Sequence, residues 1–591
     1  MNINCKLKNW TWKLLTYGSI SAIALTRTQG FACQSFSALA QVIPDATLGA
    51  ESSLVNSSGS IYQIDGGAIR GGNLFHSFSN FSLPTGSTAY FNNSGIENII
   101  SRVTGTAISH IDGLIKANGT ANLFLINPNG IVFGENTKLE IGGSFTATTA
   151  KAIKFADGNL FSATDTGSLP LLTMSVPVGV QWGTGQPKSI INAGNLAVAS
   201  GQNLTLSAGT IVSTGELRSP EGNLILTTIL NSDNPAASLS ELLALGSYNP
   251  SLTATAEGLA IGNSGIIVQP GNIALKNGVA QTATMTAARD LQLVESQLQT
   301  TGNLQLWAKH NLQVRDSTAN PVLIQAGGNL IIQGDRAIDI LALNHPQTPF
   351  VSAGNLSLIS DGIISGDAHF TSGGNFTIQN LAGEVGNFLS IQDPIISANG
   401  DVTFGNYTGA SLKVEATGSI IATGAINILM ADASLLPAPI GSDSYILGSN
   451  PSLILRAGLT TLTNPANIPI TVGVTNFTPA GSSSGGKISV LGNIITTNGG
   501  SAILEAAGNI NTKDIKANGG NITLTSHNGA IDTSAGTLNS TAIFSDAIAI
   551  TAASNITLGN IILAGVVAAK DLNINSGGTI TLTENSNIFR S

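Results

Sequence analysis

The side chains of this chain that could do acid–base or metal chemistry are few and dispersed. Its six histidines lack the His-Glu-x-x-His spacing that places two imidazoles on one zinc ion. The densest groups of opposite charge are Arg289-Asp290 and residues 334–339. A polysaccharide lyase or hydrolase needs carboxylates and cations clustered on one surface, but each group here is small enough to be ordinary surface pairing. We therefore predict no enzyme activity, no cofactor and no metal, and a β-helical lyase or hydrolase is kept as an alternative.

Aromatic side chains could instead bind sugars by stacking. The candidates are Trp182, Trp307 and Tyr62, in a chain whose aromatic content is only 5%. Residues this sparse do not indicate a stacking platform, and we expect them in the core or in loops. No individual sugar-binding residue is predicted.

The composition favours an elongated fold. Charged residues make up 10% of the chain, where roughly 25% is usual. A compact protein with so few charges would have trouble keeping its surface soluble, whereas an elongated one can cover itself with Ser, Thr, Asn and Gly. The hydrophobic content of 42% is ample for a core and argues against disorder.

Residues 1–40 have the pattern of a signal peptide. Three lysines precede an apolar run over residues 14–25, and Ala-Leu-Ala at 38–40 fits a small-x-small cleavage site. A membrane anchor is the alternative, but the run is shorter than the roughly 20 residues that span a bilayer. Cleavage there would remove both cysteines and leave 20 basic against 33 acidic residues. That acidic balance excludes a general role in binding nucleic acid.

A Gly-Asn pair followed by a short alternating strand recurs along the chain. From Asn303, the copies Asn329, Asn355, Asn375 and Asp401 follow at steps of 26, 26, 20 and 26 residues. Because Gly and Asn tolerate positive φ, we expect each pair to turn the chain sharply. Repeats of this length cannot bury a core alone and must stack. The pattern predicts an all-β, right-handed parallel β-helix with an N-terminal cap and short extrahelical hairpins.

Interruptions of the repeat suggest how the chain is divided. Prolines between residues 435 and 451 and a Gly/Ser-rich stretch at 479–486 predict a loop-rich interruption over 435–486. It separates β-helix repeats at 161–434 from C-terminal coils at 487–591. One helix is predicted from Pro235 to Leu245, beside the rod.

Residues 41–160 differ in character from the repeats that follow. Their motifs are, in order, Arg102-Val103-Thr104-Gly105, residues 111–115 (Ile-Asp-Gly-Leu-Ile), residues 121–134 around Asn127-Pro128-Asn129-Gly130, and residues 141–145 (Ile-Gly-Gly-Ser-Phe). Directly after a signal peptide, this series resembles the filamentous-haemagglutinin N-terminal domain, or two-partner secretion domain, of the cyanobacterial type. We assign the domain to 41–160 and leave open an extension to about residue 250.

The resemblance implies an exported protein. Family members pass through the periplasm, and a β-barrel transporter in the outer membrane of a Gram-negative-type bacterium recognises them. The expected function is that of a secreted adhesin or cell-surface filament, with surface carbohydrate or other cells as candidate partners. A purely structural surface or matrix protein is an alternative. The family's upstream Asn-Pro motif has no match here, since residues 91–95 read Phe-Asn-Asn-Ser-Gly.

The residues from Asn127 to Gly130 predict a turn between two strands. Pro128 sets φ at the first central position, and Asn129 and Gly130 tolerate the conformations that follow. Two interpretations are open. The turn is needed only for folding, or, as the resemblance implies, it belongs with Arg102, Thr104 and Gly105 to a signal that the transporter recognises.

Overall fold

The structure is a computed structural model that describes residues 41–231, 235–344, 347–462, 485–541, 547–564, 572–584 and 586–590. The predicted signal peptide lies outside these residues. The chain divides into Met1–Leu39 and Ala40–Ser591, and the second unit is described below. Its strands stack in parallel as a β-solenoid of about 20 turns, which confirms the predicted parallel β-helix.

Each full coil places one strand on each of three faces, which we call A, B and C. Face A contains Asn73–Phe81, Asn98–Val103, Asn122–Ile126, Phe145–Thr148, Leu204–Ala208, Leu304–Ala308, Leu330–Gly334, Leu356–Ile359, Phe376–Gln379, Val402–Phe404, Ile420–Ala422, Ile488–Val490, Ile510–Thr512 and Ile580–Leu582. Face B contains Ser109–Ile111, Ile131–Phe133, Ser189–Asn192, Asn311–Arg315, Ala337–Leu341, Ile363–Asp367, Phe388–Ser390, Tyr407–Ala410, Ile426–Met430 and Ile588–Arg590.

Face C contains Asn195–Ala197, Leu323–Ala326, Phe350–Ser352, His369–Ser372, Ile395–Ala398, Leu412–Ala416, Leu453–Ala457, Ile548–Ala552 and Leu572–Ser576. Among the strands that the structure describes, seven longer ones continue around a corner from one face to the next. They are Thr210–Thr228, Ile273–Ala287, Leu291–Thr300, Ile494–Ala506, Ile515–Ser526, Ile531–Ser540 and Ile556–Leu563.

The first coils are capped by strands that pair in other ways. Val42–Pro44 and Ala68–Arg70 pair antiparallel with Asn73–Phe81. A separate five-stranded sheet begins with an antiparallel pair, and its members are Ser53–Ser58, Ile61–Gly66, Thr88–Phe91, Leu114–Ala117 and Lys138–Glu140. This arrangement is the predicted N-terminal cap.

The core follows from the alternation of side chains along each strand. In Leu304–Ala308 the inward Leu304 and Leu306 are fully buried, whereas the outward Gln305 and Trp307 are partly exposed. Leu306 stacks in register on Ile332, and Ile332 on the next coil's leucine, so apolar ladders run along the rod. One continuous hydrophobic core therefore joins the coils, although no single coil could enclose one.

Most of the repeated glycines act by close approach and not by positive φ, so the predicted reason is wrong for them; Gly271, with φ of +92°, is an exception. Gly328, Gly354, Gly374 and Gly400 are absent from the left-handed region. A Cβ on Gly354 would instead lie 2.3 Å from Oδ1 of Asn329 in the preceding coil. That Oδ1 accepts a hydrogen bond from the backbone N–H of Asn355 at 2.8 Å. Glycine is needed because the asparagine below occupies the space that a side chain would take.

Three additions lie outside the coils. The strands Ala152–Phe155, Leu160–Ser162 and Pro177–Gln181 form a small antiparallel sheet, and its apolar side packs on outward residues of face A such as Phe75 and Ile100. Helix α1 (Pro235–Gly246), at the predicted position, covers face B together with the sheet formed by Leu252–Ala254, Leu259–Ile261 and Ile267–Val268. The third is the excursion 431–452, which contains a 3-10 turn (Ala433–Leu435) and helix α2 (Asp443–Ser449). A further 3-10 turn spans Gly49–Glu51.

Candidate functional site

The seven residues singled out by the sequence lie together where face A meets face B. Strands Asn98–Val103 and Asn122–Ile126 are parallel neighbours, and Arg102 pairs with Ile126. The residues that follow these strands therefore leave face A side by side. They are Thr104 and Gly105 on one coil and Asn127, Pro128, Asn129 and Gly130 on the next.

Arg102 is fully buried, with 0% of its surface exposed. Its Nε donates to Ser77 Oγ at 2.9 Å, and its Nη2 donates to Thr47 Oγ1 at 2.9 Å. Nη1 donates to the backbone carbonyl of Ser162, and the guanidinium lies 4.2 Å from the centre of the Phe161 ring. Burial lowers the pKa of Arg102 to about 10, against the opposing field of Asp45, and the group stays charged at neutral pH.

Asp45 supplies the matching negative charge. Its carboxylate accepts hydrogen bonds from the hydroxyls of Thr47 and Thr104, both at 2.5 Å, and from Ser77 at 2.9 Å. Burial acts to raise the pKa of Asp45, but the hydrogen bonds from Thr104, Thr47 and Ser77 outweigh it, so the pKa is lowered. The hydroxyls of Thr47 and Ser77 also accept hydrogen bonds from Arg102, so each of them bridges the guanidinium and the carboxylate. We call Asp45, Thr47, Ser77, Arg102 and Thr104 the N-terminal clasp.

The clasp joins three distant parts of the chain. Asp45 follows the first strand of the chain, Val42–Pro44, whereas Arg102 belongs to Asn98–Val103, the second strand of face A. Ser162 lies in the small outer sheet, sixty residues beyond Arg102. Sequence reasoning identified Arg102 and Thr104 but missed Asp45, because nothing local marks Asp45 as their partner. One buried cation therefore holds the cap, the coils and the outer sheet together.

The turn from Asn127 to Gly130 forms as predicted. Asn127 Oδ1 accepts from the backbone N–H of Asn129 at 2.9 Å, and the N–H of Gly130 donates to the Asn127 carbonyl at 3.2 Å. The fully buried Asn127 also donates through Nδ2 to the Ala107 carbonyl and to Ser109 Oγ, each at 3.0 Å. The asparagine thus closes its own turn and fixes the chain that leaves the preceding coil.

Asn129 connects the two motifs. Its Nδ2 donates to the carbonyl of Gly105 at 2.7 Å. Gly105 must be glycine, because a Cβ there would lie 2.1 Å from the Ser79 carbonyl oxygen of the preceding coil. Gly130 has φ of +113°, a conformation that favours glycine. The site is therefore a corner in which three successive coils are hydrogen-bonded together.

A family model described as the TPS secretion domain matches residues 40–283. These residues are a two-partner secretion domain. The match confirms the resemblance read from the motifs, which is to the secretion domain of two-partner-secretion proteins of the filamentous-haemagglutinin type. The matched range includes the clasp, the turn, the first outer sheet and helix α1.

Two solved secretion domains are also similar to the chain. The HMW1 secretion domain from Haemophilus influenzae is 13% identical, with 90% of this chain and 97% of that chain covered and a TM-score of 0.27. The filamentous hemagglutinin secretion domain is 12% identical, with coverage of 70% and 99% and a TM-score of 0.19. At these TM-scores neither similarity carries an argument about individual residues. No curated protein matches the chain.

A second buried polar group lies beyond the secretion domain, on the outer side of face C. Lys413 and Glu415 are 1% and 0% exposed, and their Nζ and Oε1 atoms are 2.9 Å apart. Asp443 of helix α2 contacts Lys413 at 3.1 Å and Arg456 at 2.5 Å, and Arg456 also contacts Glu505 at 3.3 Å. The excursion 431–452 covers these outward side chains, and we call them the face C ion cluster.

The start of the same excursion is held by a different buried group. His369 Nε2 lies 2.5 Å from Asp393 Oδ1, and both residues are buried. Burial, and then the charge of Asp393, raise the pKa of Asp432 to about 7. Asp432 also caps the 3-10 turn by accepting from the Ser434 N–H at 3.2 Å. No motif or spacing in the sequence indicated either buried group.

The ionic groups that suggested polysaccharide chemistry have structural partners. Asp335 accepts from the Trp307 indole at 2.9 Å, Asp339 pairs with Arg315 at 2.5 Å, and Asp290 accepts from the Asn311 N–H at 3.1 Å. Among the residues that the structure describes, no three His, Cys, Asp or Glu side chains are grouped to hold a metal ion. Within those residues no helix has the length and apolar character to cross a bilayer.

The three aromatic candidates have different positions. Tyr62 packs against the core and Trp182 follows the strand Pro177–Gln181, as expected of core and loop residues. For Trp307 the expectation is wrong. It lies within the strand Leu304–Ala308, on the outward side, and is partly exposed.

Proposed function

We propose that this protein is exported through an outer-membrane β-barrel transporter and acts outside the cell as an adhesin or surface filament. The observation that carries the proposal is the two-partner secretion domain over residues 40–283. Its first described strand, Val42–Pro44, comes directly after the predicted signal-peptide cleavage site. The predicted route is through the periplasm and the outer membrane to the surface of a Gram-negative-type bacterium.

The proposed task of the motif residues is to start folding outside the cell. In the folded coil Arg102 and Asn127 are fully buried, so a transporter could not contact their side chains there. Their hydrogen bonds instead join the cap to the first coils. Once these coils form, each later coil has a folded edge on which to pair as the chain emerges. Recognition by the transporter would then involve these residues only before the coil closes.

Coexpression with a candidate transporter tests export. We expect the protein in the medium or on the cell surface when the transporter is present, and in the periplasm when it is absent. Retention within the cell in both cases would refute the proposal.

Two variants test the folding role. Asn127→Ala removes the buried amide, and Asn136→Ala removes an exposed asparagine of the same domain as the matched control. We expect the first variant to be secreted at least several-fold less than the second. If Asn127→Ala is secreted and folded like the wild type, the motif does not act by starting folding.

The proposed activity is binding or structural and not catalytic. The charged groups considered for polysaccharide cleavage are paired in structural contacts, as described above. Release of soluble sugars from acidic polysaccharides by the purified protein would contradict this. Attachment of the protein to cells favours an adhesin, whereas matrix assembly without attachment favours the purely structural alternative.

A further inference from the structure

The outer side of face A is open over many coils. From strand Leu204–Ala208 to Val402–Phe404 it is covered by no element that the structure describes, in contrast to the covered parts of faces B and C. Its outward side chains form two columns, and every one of them is uncharged and at least partly exposed. The columns are Thr205, Ile225, Thr284, Gln305, Ile331, Ser357, Thr377 and Thr403, and Ser207, Thr227, Thr286, Trp307, Gln333, Ile359 and Gln379.

Trp307 lies in the middle of this surface. It is flanked by Thr286 and Gln333 on the adjacent strands, at the strand spacing of about 4.8 Å. Its indole N–H donates to Asp335 Oδ1 at 2.9 Å, and Gln333 Nε2 donates to the same oxygen at 2.7 Å. These bonds fix both side chains and satisfy the polar edge of the indole. The part of the ring that remains exposed is hydrocarbon.

This combination selects a particular kind of ligand. A fixed indole provides a large apolar contact at little entropic cost, and it suits a partner that is apolar on one side and polar at its rim. A sugar ring has C–H groups on its faces and hydroxyls around its edge. The neighbouring amides and hydroxyls of Gln305, Thr284 and Thr286 can both donate and accept hydrogen bonds, as hydroxyl partners require.

Because the columns carry no charged side chain, the class of ligand that they could bind is narrower still. An acidic polysaccharide would need Lys or Arg on the surface, and the columns contain neither. A hydrophobic protein partner would need a contiguous apolar patch, but the columns contain only three isoleucines among Thr, Ser and Gln. A surface whose outward groups repeat at the spacing of neighbouring strands fits a ligand chain that also repeats along its length.

We propose that face A around Trp307 binds a neutral, extended polysaccharide, with one sugar ring stacked on the indole. This inference deepens the adhesive part of the proposed function and rests on it, but it does not depend on the route of export. It names the ligand class as uncharged glycan and Trp307 as the central contact.

Binding to insoluble cellulose and chitin, as neutral probes, tests the proposal, with alginate as the acidic control. The full exported chain has two tryptophans beyond residue 40, Trp182 and Trp307. We expect Trp307→Ala to weaken binding at least about tenfold, while Trp182→Ala leaves it unchanged. In a Trp182→Phe background, soluble cello- or chito-oligosaccharides should change the fluorescence of Trp307.

A second variant guards against a folding defect. Thr284→Lys adds a long charged side chain to the exposed surface beside Trp307, and Thr253→Lys makes the same change at an exposed position of the hairpin on face B. We expect only Thr284→Lys to lose binding. Failure of the wild type to bind both neutral probes, stronger binding to alginate, or unchanged binding by both face A variants would overturn the inference. If the protein still attaches to cells in that case, the adhesive function stands and the glycan assignment fails.

Discussion

The N-terminal clasp makes a sharp prediction for Asp45→Asn. This variant keeps the size of the side chain and removes its charge. The hydroxyls of Thr47, Ser77 and Thr104 donate hydrogen bonds to the native carboxylate. Two of these hydroxyls, those of Thr47 and Ser77, also accept hydrogen bonds from the fully buried guanidinium of Arg102. After the substitution the guanidinium remains buried without a compensating negative charge. We expect the first coils to open much more readily.

The size of the effect follows from the burial of the cation. Removing one partner from a buried charge pair costs about 3–5 kcal/mol. Arg102 keeps its hydrogen bonds to Ser77, Thr47 and the Ser162 carbonyl, so the low end applies and we expect about 3 kcal/mol. Since about 1.4 kcal/mol is a factor of ten, opening of the clasp should become roughly a hundredfold more frequent.

Native-state hydrogen exchange of the amides in Asn98–Val103 measures this opening. Asp65→Asn is the matched control, because Asp65 accepts side-chain hydrogen bonds from Asn92, Gln63 and Asn56 but faces solvent. We expect the control to change exchange by less than about tenfold.

The pH dependence provides a second reading of the same group. The pKa of Asp45 is lower in the folded state than the ordinary value of 3.8. Its contribution is therefore fully present above that ordinary value and is lost as the pH falls through the lower, folded pKa. Asp45→Asn should abolish this acid sensitivity. Exchange in Asp45→Asn within threefold of the wild type would refute the reasoning that the clasp is held by charge.

Three further predictions concern the rest of the rod. Gly354→Ala places a Cβ against the Asn329 side chain and should lower the free energy of unfolding by about 1–3 kcal/mol in a denaturant titration. Adding Asn329→Ala should recover part of this loss. Additive effects of the two substitutions would contradict a steric clash between these side chains. Asp443→Ala leaves Lys413 and Arg456 with too few carboxylates, and it should lower the free energy of opening of the excursion, measured by hydrogen exchange, by about 3–5 kcal/mol. The control Glu140→Gln, in an exposed ion pair, should lower local stability by under about 1 kcal/mol. Equal effects of the two variants would contradict the argument from burial. The pKa of Asp432 is raised to about 7 from 3.8, so the folded state holds an extra proton between these values and its stability falls as the pH rises through them. Hydrogen exchange of residues 431–452, corrected for intrinsic rates, should show at least about tenfold more opening at pH 8 than at pH 5. A pH dependence that persists in Asp432→Asn would assign the effect to another group.

Much of the fold could be predicted because it repeats. The intervals of 26, 26, 20 and 26 residues from Asn303 to Asp401 are also the separations of the hydrogen bonds that join successive corners. A stack of coils leaves this mark on a sequence because each coil must place the same residue at the same corner. A helix from Pro235 to Leu245 could be predicted because its residues depart from the repeating strand pattern.

What could not be predicted depends on contacts between distant parts of the chain. Lys413 and Glu415 occupy outward positions of a strand, which alternation alone assigns to solvent. Their burial depends on helix α2, a helix that the proline-rich interruption did not reveal. Asp45 lacked any local sign of Arg102 as its partner. For the repeated glycines, the sequence shows the residue type but not whether φ or close approach requires it.

The asparagine corner has a consequence for the length of the rod. The step from Asn355 to Asn375 is six residues shorter than its neighbours, yet its hydrogen bond of 2.9 Å matches the others. The asparagine hydrogen bond therefore forms once per turn whatever the number of residues in the coil, and differences in coil length are accommodated elsewhere around the coil. A gene for such a protein can gain or lose a whole coil, of either size, without disturbing the coils on either side. The length of the solenoid can thus change in steps of about 4.8 Å, the spacing between neighbouring strands.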